Sequence, residues 1–373
     1  MAVASDGTLR EVTSGGGPED PGPPPRLGRW QGYRLRLLRR RLLYRALRAR
    51  HQLQGVTDTT ASIGAGTVLV FACLRNEALR LPWFLKHYRA LGAGHFLIVD
   101  NGSDDGSAEL LAGQSDVSLW RTDGSYRGSR FGMDWINWLL MRHGAGHWCL
   151  TVDIDELLVY PDCGTLDLGG LTARLDAAGQ RAMGALMLDL YQPGGLGWGH
   201  YRAGDDPTGL LCGFDPGPYR ARWQPRHGNL WLQGGMRERV FFADDPARGP
   251  TLNKLPLVKW HWRQAYLNST HSILPAALNA AYRGPGGPGP SGVLLHTKFL
   301  PDSAARAEEE RRRQQHFGDP AAFAAYHHAV EARPEAWWTG TSRYEGPAQL
   351  TQLGLMHGAQ ATDLSGSSVF IEK

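Results

Sequence analysis

The sequence predicts an α/β fold: a mostly parallel sheet flanked by helices, with a loop-rich region set over one edge. Three observations predict it. Short apolar, β-branched runs alternate with helix-period segments from Thr67 onward. Polar side chains gather where those runs end, at Arg75, Asp100 and Asp153. From 192 to 265 the alternation gives way to Gly, Pro, Trp and Arg, a span too long for an unstructured connection in a compact domain. A composition of 42% hydrophobic and 20% charged residues over 373 positions supplies a substantial core. The net charge of +4 is too small to argue for nucleic acid.

The elements follow in order. Residues 1–28 are rich in Gly and Pro and read as a disordered tail, without the apolar stretch of a signal peptide. No apolar run approaches the ~20 residues of a spanning helix. Arg29 to Arg50 carries nine Arg and no acid, and Leu35, Leu38, Leu42, Ala46 and Ala49 recur at helical spacing. A basic amphipathic helix is expected over 29–55. It either lies peripherally on an anionic membrane surface or packs on the protein body with its Arg solvated. TVLVFACL is the first strand, 78–91 a helix broken by Gly92, HFLIVD the second strand and NGSDDGS its loop. A short helix through Leu110 and Leu111, the strand VSLW, a helix at 129–142 and the strand HWCLTVDID complete the alternation. Strands separated by helices imply parallel pairing with crossovers. A helix near 168–179 and the strand ALMLDLY come next, then the late strand GVLLHTKFL at 292–300. EEERRRQQHF reads as a solvated helix without chemistry, 319–331 as another helix, and 336–373 as a tail, so the main domain is placed at 67–335. Cys73, Cys149, Cys163 and Cys212 have no CxxC spacing and read as buried free thiols of a reducing, cytoplasmic compartment.

In parallel sheets ligands bind beyond the carboxyl ends of the strands. Here those ends carry Arg75-Asn76-Glu77, Asp100-Asn101-Gly102-Ser103 and Asp153-Ile154-Asp155. Two carboxylates two residues apart on an extended strand project to one side. They form an oxygen-ligand site suited to Mg²⁺ or Mn²⁺, whose shell phosphates and water complete. The bland alternative is a pair of exposed turn carboxylates. A phosphatase of haloacid-dehalogenase type also places DxD after an apolar strand, with the first Asp as nucleophile. That motif opens its domain and continues with Thr or Val where this chain has Leu157.

RNEALRLPWFLKHYRALGAGHFLIVDNGSDDGS, WCLTVDIDELLVYP, LDLYQ, GGMRERVF and LLHTKF, in that order, resemble bacterial glycosyltransferases of family 2 type, in the subgroup with DxDE and a late LLHFKF. The resemblance runs from about Val68 to about Tyr326. It implies a GT-A fold, a divalent metal (Mn²⁺ or Mg²⁺), a nucleotide-sugar donor such as a UDP-sugar, and a glycan or lipid-linked acceptor, met in the cytoplasm or at the inner membrane face. Thr297 departs from the usual aromatic, and Glu238 falls where the family often has another residue. The resemblance places Asp100 on the base or ribose, with Arg75, Asn76, Glu77, Asn101 and Ser103 around it, Asp153 at the metal and diphosphate, and Arg130 facing the nucleotide. Asp100 capping its own turn, Glu77 favoured by a helix dipole and a surface Arg130 remain open.

His296 and Lys298 alternate on the late strand and so share a face. That arrangement suits a metal ligand beside a diphosphate cation, with a structural His as the alternative. Arg237 and Arg239, also alternate, are candidate diphosphate clamps or members of a solvated edge strand. An inverting transfer needs a carboxylate base, for which Asp189 is preferred over Asp215 and Glu238. Trp198, Trp223, Trp231, Trp260 and Trp262 are sugar-stacking platforms or core. A non-catalytic carbohydrate-binding protein is the rival of another class, and the fold leaves inverting or retaining chemistry open.

Overall fold

The structure is a computed structural model and describes residues 21–313, 326 and 328–358. Most of the expected N-terminal tail, most of the 319–331 helix and the last fifteen positions of the expected C-terminal tail lie outside the described residues.

Chain order is α1 (Arg29–Ala49), β1 (Gln54–Thr57), β2 (Leu69–Leu74), α2 (Leu81–Ala90), β3 (His95–Asp100), α3 (Ser107–Ala112), β4 (Val117–Arg121), α4 (Met133–His143), β5 (Trp148–Thr151), β6 (Glu156–Val159), α5 (Leu168–Ala177), β7 (Ala182–Asp189), β8 (Gly213–Phe214), β9 (Tyr219–Gln224), β10 (Asn229–Gly234), α6 (Gly235–Phe241), β11 (Asn253–Lys259), β12 (Ala265–Tyr266), β13 (Ile273–Leu274), β14 (Ser291–His296), α7 (Ser303–Arg313), β15 (Ser342–Arg343) and a short helix, Pro347–Gln352. One nine-stranded sheet runs β1-β4-β3-β2-β5-β11-β7-β14-β6. β4, β3, β2 and β5 are parallel neighbours, and β7 pairs parallel with β14. β11 runs antiparallel between β5 and β7, and β1 and β6 run antiparallel at the two edges. Six of nine strands thus point one way, the mostly parallel α/β arrangement that the sequence predicts.

Apolar residues at every position of β2 and from Phe96 to Val99 of β3 bury both faces, as strands covered by helices require. Leu69, Phe71, Leu97 and Val99 pack on one face with α4, through Trp135, Ile136 and Leu140. Val70, Ala72, Phe96 and Ile98 pack on the other with α2 and α5, through Phe84, Tyr88 and Leu171. Gly92, at φ 87°, ends the α2 region. α4 begins at Met133 rather than 129, because Arg130, Phe131 and Gly132 all take left-handed backbone, at φ 56°, 60° and 77°.

The apolar stripe of α1 faces the protein, one of the two placements expected: Leu35 and Leu42 are buried with Ala265, Leu267 and Leu274, and Ala46 and Ala49 are buried too. Two regions differ from the sequence reading. The 192–265 span holds the β9–β10 hairpin and α6 as well as loops. The main domain, expected to end at 335, continues through the described part of the tail. β15 pairs with β8, and Leu350, Leu355 and Met356 are buried. All four cysteines are free thiols. Among the described residues no helix is long and apolar enough to cross a membrane.

Candidate functional site

β2, β3, β5, β7 and β14 all end at one edge of the sheet, and β6 and β11 begin there. β5 stops at Thr151, so Asp153 and Asp155 sit on a turn rather than on an extended strand. The Glu156 N–H donates to the Asp153 carbonyl at 3.1 Å. Thr297 fastens this turn, its backbone N–H and its hydroxyl both donating to the Asp155 carbonyl, at 2.7 and 3.0 Å. The Asp153 side chain is 56% exposed and that of Asp155 19%.

His296 ends β14, in register with Asp189 of β7 on one side and Glu156 of β6 on the other. Its Nδ1 lies 2.6 Å from Asp189 Oδ1, and its Nε2 3.2 Å from Asp155 Oδ2. Arg237 Nε donates to the other Asp189 oxygen at 2.7 Å. Lys254, at the start of β11, pairs with Glu156 at 2.8 Å and with Asp153 at 3.3 Å. Four carboxylates therefore face two permanent cations and one imidazole. Burial would raise Asp155, but His296, with Arg80 and Lys298 beyond it, outweighs burial and holds the carboxyl below its ordinary value. Burial would lower His296, but Asp155 and Asp189 reverse that and raise it. Glu156 is pushed up to about 7 by burial, and Asp153 and Asp155 add to this against Lys254.

The donor chemistry fits a divalent cation. Asp153 and Asp155 offer oxygens, and a histidine whose Nδ1 is held by a carboxylate presents Nε2 in the manner of metal-ligating histidines. Among the described residues no group of three or more His, Cys, Asp and Glu side chains is placed to hold a metal ion by itself. A cation here would complete its shell with phosphate oxygens and water.

Beside Asp155 lies a cavity of about 50 Å³, lined by Lys298, Ser303, Arg306 and Tyr326 among others. It holds a few waters at most. Lys298 Nζ stands 5.6 Å from the centroid of the Tyr326 ring. Arg306, from α7, bonds the Glu77 carboxylate and donates to the Asn76 carbonyl at 3.0 Å. Arg80 bonds both oxygens of Asp302, at 2.6 and 2.7 Å.

The residues expected around the nucleotide knit the β2 and β3 ends together. Asp100 is fully buried and accepts from the Ser103 N–H and hydroxyl, so it caps its own turn. Arg75 donates to the carbonyls of Asn101 and Gly102, at 2.9 and 2.6 Å. Asn101 donates through Nδ2 to Thr122 and Gly124, and Asn76 Oδ1 accepts the Asp104 N–H at 3.0 Å. Glu77 is buried, and burial raises its carboxyl even though Arg306 and Arg80 oppose the rise.

No protein-family model matches this sequence, and no curated protein matches it. Among solved structures the chain is similar to the mannosyltransferase PcManGT from Pyrobaculum calidifontis, in complex with GDP-Man and Mn²⁺. The identity is 13%, with 81% of this chain and 80% of that one covered and a TM-score of 0.32.

The structure separates the remaining candidates. A general base must reach the proton it takes. The Asp189 side chain is 2% exposed, with both oxygens engaged. Asp215, 3% exposed, is bound by Tyr191, Arg239 and Trp338. Glu238 is paired through both oxygens with Arg220, at 2.7 Å. All three are anchors of ion pairs. Arg237 and Arg239 lie on helix α6, not on an edge strand, and each holds one of these aspartates. Arg130 is bound to Asp134 at 2.6 Å and to the Leu267 carbonyl, within the α1–α4 packing. Arg80, Lys254 and Arg306 escaped the sequence reading. The only signal for Arg306 was a charge-dense helix, which usually marks solvent.

Proposed function

We propose that the protein is a divalent-cation-dependent glycosyltransferase drawing on a nucleotide-diphosphate sugar. The observation that carries this reading is the Asp153–Asp155 turn, with His296 aimed into it, at the edge where the parallel strands end. Asp153, Asp155 and His296 would hold the cation. Mn²⁺ or Mg²⁺ bound there would neutralise charge on the departing diphosphate.

The chain's own groups have distinct tasks. Asp189 accepts from His296 Nδ1 and fixes the imidazole, and Arg237 fixes Asp189. Lys254 steadies Asp153 and Glu156. Lys298 and Arg306 bring positive charge beside Asp155, where phosphate oxygens would gather. A nucleotide sugar does not fit a cavity of about 50 Å³, so the donor lies across the exposed side of the turn, at Asp153.

The test is thermal shift with nucleosides, nucleoside diphosphates and nucleotide sugars, with and without Mn²⁺, on the wild type and Asp155→Asn. A ligand that binds only the native state at a hundred times its Kd stabilises it by about 2.7 kcal/mol. The expected result is stabilisation by diphosphate-bearing ligands in the presence of Mn²⁺, lost in Asp155→Asn. Metal-independent shifts that survive the substitution would overturn the reading. So would metal-dependent phosphate release from simple esters with no nucleotide bound.

A further inference from the structure

With Leu35, Leu42, Ala46 and Ala49 buried against the protein, α1 has a second face to account for. Trp30, Tyr33, Leu37, Tyr44 and Leu47 are exposed, at 71, 47, 44, 59 and 37%. Their spacing of three, four, seven and three residues places them on one line along the helix, opposite the buried stripe. Arg34, Arg41 and Arg48 flank the line on one side, Arg29, Arg36 and Arg40 on the other, and all six are exposed. α1 contains no acid, and among the described residues none of these six is ion-paired.

A second element extends the patch. Arg36, Arg39, Arg40 and Leu43 line a cleft of about 560 Å³ with Trp262 and Arg263. Trp262 is 49% exposed, and the Arg263 guanidinium lies 4.6 Å from its ring centroid. Burial lowers Arg39, and its neighbours Arg36, Arg263 and Arg40 add to that, since like charges are held close together.

We infer that the outer face of α1, with Trp262 and Arg263, docks on an anionic lipid bilayer. Aromatic rings with leucines on one line, rimmed by cations, match the headgroup boundary. The rings and leucines enter the interface, and the guanidiniums meet lipid phosphates. The charge argues against a second copy of the chain as occupant. Two such faces would set the six exposed arginines of one helix against six of the other, with no acid on either helix.

The experiment is co-sedimentation of the full chain with phosphatidylcholine vesicles, with and without phosphatidylserine, at low and high salt. The expected result is binding to the phosphatidylserine vesicles alone, weakened by salt. Arg36→Gln/Arg40→Gln/Arg41→Gln should weaken it about a hundredfold, at about fivefold per arginine. Trp30→Ser/Tyr44→Ser should also weaken it, and both variants should keep the wild-type melting temperature because every altered side chain is exposed. Equal binding to both vesicle types, or full binding by both variants, would overturn the inference. The same holds for a dimer lost in these variants without vesicle binding, or for preference for a single-stranded oligonucleotide or inorganic phosphate over vesicles.

Discussion

At Asp189 the structure and the sequence suggest different roles, and one substitution decides between them. As a base, Asp189 would act on turnover and leave cation affinity alone. As the carboxylate that orients His296, it sets where Nε2 points. Asp189→Asn is therefore expected to weaken Mn²⁺ binding 10–100-fold, the usual cost of losing such a partner. It should also lower stability by about 3 kcal/mol, since Arg237, itself buried, loses its counter-charge. Mn²⁺ titration by calorimetry with a denaturant melt measures both, and unchanged affinity would restore the base role. Lys298→Ala should weaken a nucleoside diphosphate at least tenfold while leaving the free nucleoside unaffected; equal losses would make Lys298 structural. Asp153, Asp155, His296 and Lys298 were proposed from alternation along strands, but β5 stops at Thr151 and β14 at His296, so Asp155 and Lys298 stand on turns rather than on a shared strand face. Lys254 and Arg306 were not legible, since each is an ordinary basic residue until the sheet order and α7 carry it to Asp153 or Asp155. Thr297 read as a departure from a pattern, yet it holds the turn by two hydrogen bonds.

Among the elements, periodicity found α1 and its stripe, but periodicity does not say what a stripe meets. Here it meets the protein, and Asp134 at the start of α4 ties the contact. One of its oxygens accepts from Arg45 of α1 at 2.7 Å, and the other accepts from Arg130 at 2.6 Å. Asp134→Ala leaves both guanidiniums without their carboxylate. Arg45 is partly exposed, which reduces the loss to about 2 kcal/mol. Leu42→Ala should cost about 2–3 kcal/mol by opening a cavity against Ala265, Leu267 and Leu274. Urea denaturation checks both; a change below about 0.5 kcal/mol in each would mean that α1 is not part of the cooperative unit. α6 was read as alternating strand because RERVF is too short for its period to be told from a helix. On the helix Arg237 and Arg239 hold Asp189 and Asp215, in place of the diphosphate clamp or solvated edge strand expected of them.

For the molecule as a whole, the parallel sheet was readable from the alternation of strands and helices. The reversed strand β11 and the packing of 336–358 were not, because both depend on pairings between distant segments. A chain ending at 335 should melt well below one ending at 358, having lost β15, the Trp338–Asp215 bond and the buried Leu350, Leu355 and Met356.

Acid response is a property of the same scale, and one contributor is a histidine outside the candidate site. Burial, with Lys254 and Arg237 adding to it, lowers His271 from 6.5 to about 3, and its Nδ1–H is spent on the Asn253 carbonyl. The folded state thus holds this imidazole neutral, while the unfolded chain protonates it near 6.5. Stability from this group is fully present above pH 6.5 and is lost as pH falls toward 3, because the unfolded state binds the extra proton. Burial lowers His87, His95, His143 and His227 in the same direction, whereas raised Glu77 and Glu156 oppose it. The whole-protein slope is therefore a sum, and only a difference isolates His271. In His271→Gln, which keeps a donor for Asn253, the loss of unfolding free energy between pH 6 and pH 5 should be smaller than in wild type. The reduction approaches ~1.4 kcal/mol per pH unit, the value for one proton. Denaturant melts at the two pH values give the slopes, and parallel slopes would show that His271 titrates in the folded protein as it does in the unfolded chain.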